Sequence, residues 1–327
     1  MLVYAGIDEA GYGPVLGPLC VGAVVLRLEE ADPQDGPPNV WQLLKTAVCR
    51  GARDVKKRIA VDDSKRLKGA NGAKLHPLTH LERGVLSFLG ERGRDLTDDE
   101  TFFRLLGVKI PPCRWYGDCR PIPTAHDAAA LRIAAARLAR CMTRSGVSVE
   151  LMRCEAVDAR ELNESIERHG QKAAINFEAA MRLADRIWQS CEADHPRLVI
   201  DRHGGRTRYR EPLQMMWPDA RITVVAESDR LSRYRLERRI AGGERRQMTV
   251  SFAPAADGSH FPLAFASITA KYVRELFMAR LNAYFEREMP ELKPTAGYFK
   301  DGRRWINEVV ELVKRLEIDE RELVRRL

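Results

Sequence analysis

Three apolar, β-branched runs of this chain each finish on a carboxylate. Residues 2–7 lead into Asp8 and Glu9, residues 197–200 into Asp201, and residues 221–226 into Glu227. Short runs of this kind read as buried strands. In mixed α/β sheets, ligand sites gather at the carboxyl ends of strands. A chain that repeats the pattern three times is therefore constrained to a sheet with acids along one edge. The first run is followed by Gly11-Tyr12-Gly13-Pro14-Val15-Leu16-Gly17-Pro18 and then by a second apolar run at 19–26. Adjacent strand residues point to opposite faces, so Asp8 and Glu9 reach one site only where the backbone bends. Gly11, Gly13 and Gly17 permit that bend and leave backbone N–H groups open to an anion. Taken alone, the stretch also reads as a tight hairpin with solvated acids.

The rest of the chain supplies the helices. Apolar spacing predicts helices over 125–143, 171–191, 265–288 and from about 303 to 327, and a further strand over 147–157. Residues 91–124 form an irregular insertion that contains Trp115 and Tyr116, read either as base-stacking groups or as loop anchors. Residues 230–252 read as a hairpin with Gly242 and Gly243 in its turn and seven arginines on its arms. It is either a solvated edge that resists aggregation or a flap that contacts nucleic acid. Asp63-Ser64-Lys65 is a helix start in one reading and a phosphate-holding turn in the other.

Composition narrows the function class. The 327 residues carry a net charge of +8, which favours phosphate-bearing partners. No apolar run approaches the roughly 18 residues of a membrane span, and the first residues lack a secretory signal pattern. A cytoplasmic protein with no membrane association is expected. Seven cysteines form no CxxC pair, so neither a zinc site nor a disulfide framework is expected. A single domain over 1–327 is expected, with insertions near 91–124 and 230–260 and a helical extension from about 303.

Asp8, Glu9, Asp201 and Glu227, drawn together, repel one another unless protonated or neutralised by cations. Oxygen donors without clustered His or Cys suit Mg²⁺ or Mn²⁺. Two such ions roughly 4 Å apart activate water and stabilise the departing oxygen of a phosphodiester.

At this point the residues meet a known family. Gly6-Ile7-Asp8-Glu9-Ala10-Gly11-Tyr12-Gly13-Pro14 and the strand after it resemble the opening of the prokaryotic type 2 ribonucleases H, ribonuclease HII and HIII. Further matches follow in order: Asp63-Ser64-Lys65-Arg66-Leu67, Leu198-Val199-Ile200-Asp201, Ala226-Glu227-Ser228, residues 266–276, and Gly297-Tyr298. The resemblance implies an α/β ribonuclease H fold, a five-stranded mixed sheet flanked by helices. It implies an endonuclease that cuts the RNA strand of RNA/DNA hybrids, or 5′ to ribonucleotides embedded in duplex DNA, and leaves a 3′-hydroxyl and a 5′-phosphate. It implies Asp8, Glu9, Asp201 and Glu227 as metal-binding and catalytic acids, with Asp229 as the rival to Glu227. Gly11, Tyr12, Gly13, Ser64, Lys65 and Tyr298 are the implied substrate contacts, and no obligate protein partner is evident. The chain departs from the pattern at Tyr12, where ribonuclease HII has arginine, at Arg202, where glycine is usual, and at Phe299-Lys300. A non-catalytic nucleic-acid-binding protein and a structured-DNA nuclease of the same fold are the alternative functions.

Overall fold

A computed structural model of the chain describes every residue except 33–35, 37, 52–57, 70–74, 91–95, 192–194, 240–242 and 327. Its strands are, in chain order, β1 (Leu2–Ala10), β2 (Leu19–Leu28), β3 (Val48–Cys49), β4 (Ile59–Ala60), β5 (Val147–Val157), β6 (Arg197–Asp201), β7 (Arg221–Glu227), β8 (Ser232–Arg239) and β9 (Arg245–Ala253). Strands β3 and β4 pair with each other, and the other seven form one sheet in the order β5-β2-β1-β6-β9-β8-β7. Strands β1, β6 and β9 run parallel, while β2 and β5 on one side and β8 and β7 on the other are antiparallel.

The expected mixed sheet flanked by helices is present, with seven strands rather than five. Strands β8 and β7 continue it antiparallel beyond β9, because the arms around residues 230–252 pair as sheet strands instead of standing off as a flap. The turn read at Gly242 lies outside the described residues, and β9 is an internal strand between β6 and β8.

Alternation along β1 feeds two cores. Leu2 and Tyr4 join the core beneath the 28-residue helix Phe261–Glu288, while Val3, Ala5 and Ile7 join the core beneath the helix Ala173–Ser190. The long helix lies on β1 and β2. Two glycines make that approach possible: a Cβ on Gly6 stands 2.2 Å from the Leu263 nitrogen, and one on Gly22 stands 2.5 Å from the Ala266 carbonyl oxygen. The helix begins at Phe261, ahead of the expected residue 265, because Pro262 falls in the first turn, where no N–H is needed.

Within the 91–124 segment, whose residues 91–95 lie outside the described ones, Trp115 and Tyr116 are buried against Phe285 and Phe277. They are loop anchors. The helix Phe299–Arg315 packs Trp305, Val309 and Leu312 inward, and the chain then returns to the glycine turn through a bridge between Leu16 and Val324. Among the described residues, no helix is long and apolar enough to cross a membrane.

Candidate active site

Strands β1 and β6 are in register from Tyr4 opposite Arg197 to Ile7 opposite Ile200. Asp8 and Asp201 are therefore the next residues on two neighbouring parallel strands. Asp8, only 9% exposed, hydrogen-bonds Ser267 of the long helix, and Glu9 hydrogen-bonds Asn176 of the helix on the other face. The two acids thus straddle the end of β1 without a sharp bend. Burial first, and then the charges of Glu9 and Asp201, hold the Asp8 carboxyl well above the usual carboxylate range. Glu9 is raised by burial and by Asp201. Asp201 is raised by burial, opposed by the Arg202 amide, and raised again by Asp257. Among the described residues, Asp201 Oδ1 is buried without a hydrogen-bond partner.

Asp257 is the acid that sequence reading missed. It sits in the short turn Ala256–Gly258, four residues beyond β9, whose last residue Ala253 lies opposite Asp201. Its carboxyl is raised by burial and by Asp63 and Asp62, and lowered by Lys65. The available signal was the one used elsewhere, an apolar strand followed by an acid. The arginines of residues 230–252 masked it by making β9 read as the arm of an exposed hairpin.

Glu227 is not brought to this cluster. It ends β7, three strands from β6, about 14 Å away at the usual inter-strand spacing. It lies on the sheet face of Glu9 rather than that of Asp8 and Asp201, and the Tyr234 hydroxyl donates a 2.5 Å hydrogen bond to its Oε1. Its rival Asp229 is exposed in the β7–β8 turn, where its carbonyl accepts from Arg202 at 2.6 Å. Both residues lie apart from Asp8 and Asp201 for one reason: β7 is an edge strand, and its carboxyl end does not adjoin β1 and β6.

The glycine turn is clamped beside the acids. Gly11 has φ +87°, and a Cβ there meets Arg274 Cδ at 2.5 Å and the Pro18 carbonyl at 2.8 Å, so only glycine fits. Its carbonyl accepts from the buried Arg325 at 2.6 Å. Gly13 has open space beside it. Tyr12 lies under Lys172, whose ammonium is 4.5 Å from the ring centroid. The amides of Val15 and Leu16 donate to the Gly297 carbonyl, which brings Tyr298 alongside the turn. Tyr298 is 46% exposed, and its hydroxyl accepts from Lys271 at 3.1 Å. Burial raises its pKa, but Lys271 and Arg274 outweigh burial and lower it.

Ser64 and Lys65 separate. The Ser64 hydroxyl is buried and hydrogen-bonded to Ser267 at 3.0 Å, so it braces the residue that contacts Asp8. Lys65 is exposed and close enough to lower the pKa values of Glu9 and Asp257. Asp8, Glu9, Asp201 and Lys65 thus stand with Asp257, and the glycine turn follows Glu9 with Tyr298 alongside it.

No family model matches the chain, and no curated protein matches it. Solved structures do. The chain is similar to a PCNA:RNase HII complex from Archaeoglobus fulgidus, at 17% identity over 99% of this chain and 94% of that one, with a TM-score of 0.44. It is similar to ribonuclease H2 from Pyrococcus horikoshii, at 17% identity over 98% of this chain and 92% of that one, with a TM-score of 0.43. It is also similar to Bst-RNase HIII in complex with Mn²⁺, at 14% identity over 100% of this chain and 66% of that one, with a TM-score of 0.41.

Proposed function

We propose that the chain is a divalent-metal-dependent ribonuclease H that cuts RNA within a hybrid or beside an embedded ribonucleotide. One observation carries this reading: acids from three parallel strands, Asp8 and Glu9, Asp201, and Asp257, gather beside a turn that only glycine can make. The donor set is chemically fit for a hard cation, being all carboxylate oxygen, with one buried oxygen of Asp201 unpartnered and each acid disfavoured as an anion by burial or by its neighbours. Among the described residues, no three His, Cys, Asp or Glu side chains stand in ligating geometry. Asp8, Glu9, Asp201 and Asp257 are the residues that would hold Mg²⁺ or Mn²⁺, and the ions would supply an activated water and charge stabilisation on the scissile phosphate.

The chain's own groups do the rest. Lys65, on the rim of the acids, is placed to pair with a phosphate oxygen. The Gly11–Tyr12–Gly13 backbone, fixed from behind by Arg325 and Arg274, presents polar groups to a ribose 2′-hydroxyl, the feature that separates RNA from DNA. Tyr298, half-exposed beside that turn, offers a ring to stack on a sugar or base. Hydrolysis then leaves a 3′-hydroxyl and a 5′-phosphate.

Asp8→Asn tests the reading. The variant is expected to lose hybrid cleavage by at least ~100-fold, the scale on which disturbing a metal site costs activity, and to keep hybrid affinity. It is also expected to be more stable than wild type in metal-free buffer at neutral pH, because it removes a buried, repelled carboxylate. Undiminished cleavage in Asp8→Asn would overturn the assignment. Salt-sensitive binding without cleavage by the wild-type protein would identify a nucleic-acid-binding protein instead.

A further inference from the structure

The sheet face that carries Asp8 and Asp201 is covered by the long helix over β1 and β2, and the helix barely reaches β6. Beyond that edge, among the described residues, no helix packs closely on β8 or β9 of this face, and strand register fixes what it presents. Arg197 of β6 lies opposite Thr249 of β9, which lies opposite Arg235 of β8. In the next row, Val199 lies opposite Ser251, which lies opposite Arg233. One row further on, Asp201 lies opposite Ala253. Directly opposed residues share a face, so the arginine rows and Asp201 lie on one face of the sheet. At roughly 3.3 Å per residue, Arg197 stands ~13 Å along β6 from Asp201.

The three arginines, with Gly36, Thr249, Ser251 and His260, line a cavity of about 280 Å³, and among the described residues none lining it is acidic. Arg197 donates to the Thr249 hydroxyl at 2.8 Å, and Arg233 donates to the Ser251 hydroxyl at 3.1 Å. Among the described residues, none of the three is paired with a carboxylate. The nearest acid in the row scheme, Glu237, lies opposite Gln247 and accepts its hydrogen bond at 2.8 Å. Among the described residues the guanidinium groups therefore share this face without a carboxylate partner, and burial together with Arg235 and Arg233 lowers the Arg197 pKa. A cluster of this kind is relieved by a polyanion, and guanidinium forks match phosphate oxygens bidentately.

We infer that this face is a second phosphate-binding track, which holds the backbone of a nucleic-acid substrate outside the cleavage site and leads it to Asp201. The inference rests on the reading of the chain as a nuclease and adds the surface that its substrate crosses. The track exists because β8 joins the sheet beyond β9 on the helix-free side.

The test is binding of a labelled RNA/DNA hybrid by fluorescence anisotropy in EDTA across a range of KCl concentrations. The double variant Arg233→Gln/Arg235→Gln is expected to bind ~10-fold or more weakly at moderate salt, and its log–log salt slope is expected to fall by about two, since each neutralised phosphate contributes about 0.9. Arg233→Lys/Arg235→Lys keeps the charge and is expected to keep most of the slope. With Mg²⁺ restored, the glutamine variant is expected to show a raised KM and an unchanged kcat. Wild-type affinity and slope in the glutamine variant would overturn the track, as would an equal loss of slope in the lysine variant. Binding is read without divalent cation, so this outcome is separate from the cleavage result for Asp8→Asn.

Discussion

His203, two residues past Asp201, is buried among Phe177, Tyr209 and Phe252. Burial, reinforced by Arg206, pushes its pKa down to about 4. The unfolded chain takes up this proton near the ordinary value of 6.5, while the folded chain resists until about pH 4. The stability associated with neutral His203 is therefore complete above pH 6.5 and is lost as pH falls through that window. Two and a half pH units correspond to about 3 kcal/mol, as an order of magnitude. Chemical denaturation of wild type and His203→Gln at neutral pH and near pH 4 is expected to show wild type losing more stability than the variant by about that amount. Parallel losses in the two proteins would contradict it. At the acids, burial and the charges of Glu9 and Asp201 disfavour Asp8 as an anion. The gathering of Asp8, Glu9 and Asp201 was legible from sequence because each stands at the end of an apolar run. Tyr12 was legible as a departure, but its place under Lys172 depends on a residue 160 positions away and left no local signal.

At the scale of elements, the site is a property of parallel strand ends. Strands β1, β6 and β9 all run the same way, and their carboxyl ends deliver Asp8, Glu9, Asp201 and, through a short turn, Asp257. An antiparallel strand delivers its other end, and an edge strand two places further out delivers nothing, which is why Glu227 falls away despite following an equally good apolar run. Asp257→Asn is thus expected to lose hybrid cleavage by ~100-fold or more, on the same footing as Asp8→Asn, whereas Glu227→Gln is expected to cleave at the wild-type rate. A cleavage defect in Glu227→Gln with full activity in Asp257→Asn would return the fourth acid to β7. Most strands and helices were readable from period and composition. What period cannot give is pairing order: the apolar β7 is an edge strand, while β9, which opens on Arg245-Arg246, is internal.

At the scale of the whole molecule, the chain builds two cores on one sheet, and among the described residues the long helix covers only part of one face. The long helix seats against Gly6 and Gly22 and closes the sheet on one side, and its limited reach exposes the arginine rows that run toward Asp201. The end of the chain folds back onto the glycine turn, where Arg325 is buried and its guanidinium is spent on the carbonyls of Gly11 and Gly17. The net charge of +8 pointed to a phosphate-bearing partner without locating it. Only the register of β6, β8 and β9 shows which arginines stand together, and the sheet's seven strands, against five expected, arise from the same pairing. The most direct measurement is cleavage by the purified protein, in Mg²⁺ and in Mn²⁺, of labelled duplexes carrying an RNA tract, one ribonucleotide or none. Expected is cutting confined to the ribonucleotide-containing strand, with 3′-hydroxyl and 5′-phosphate ends and an intact all-DNA duplex. Equal cutting of the all-DNA duplex, or no cutting of any, would contradict a ribonuclease H site.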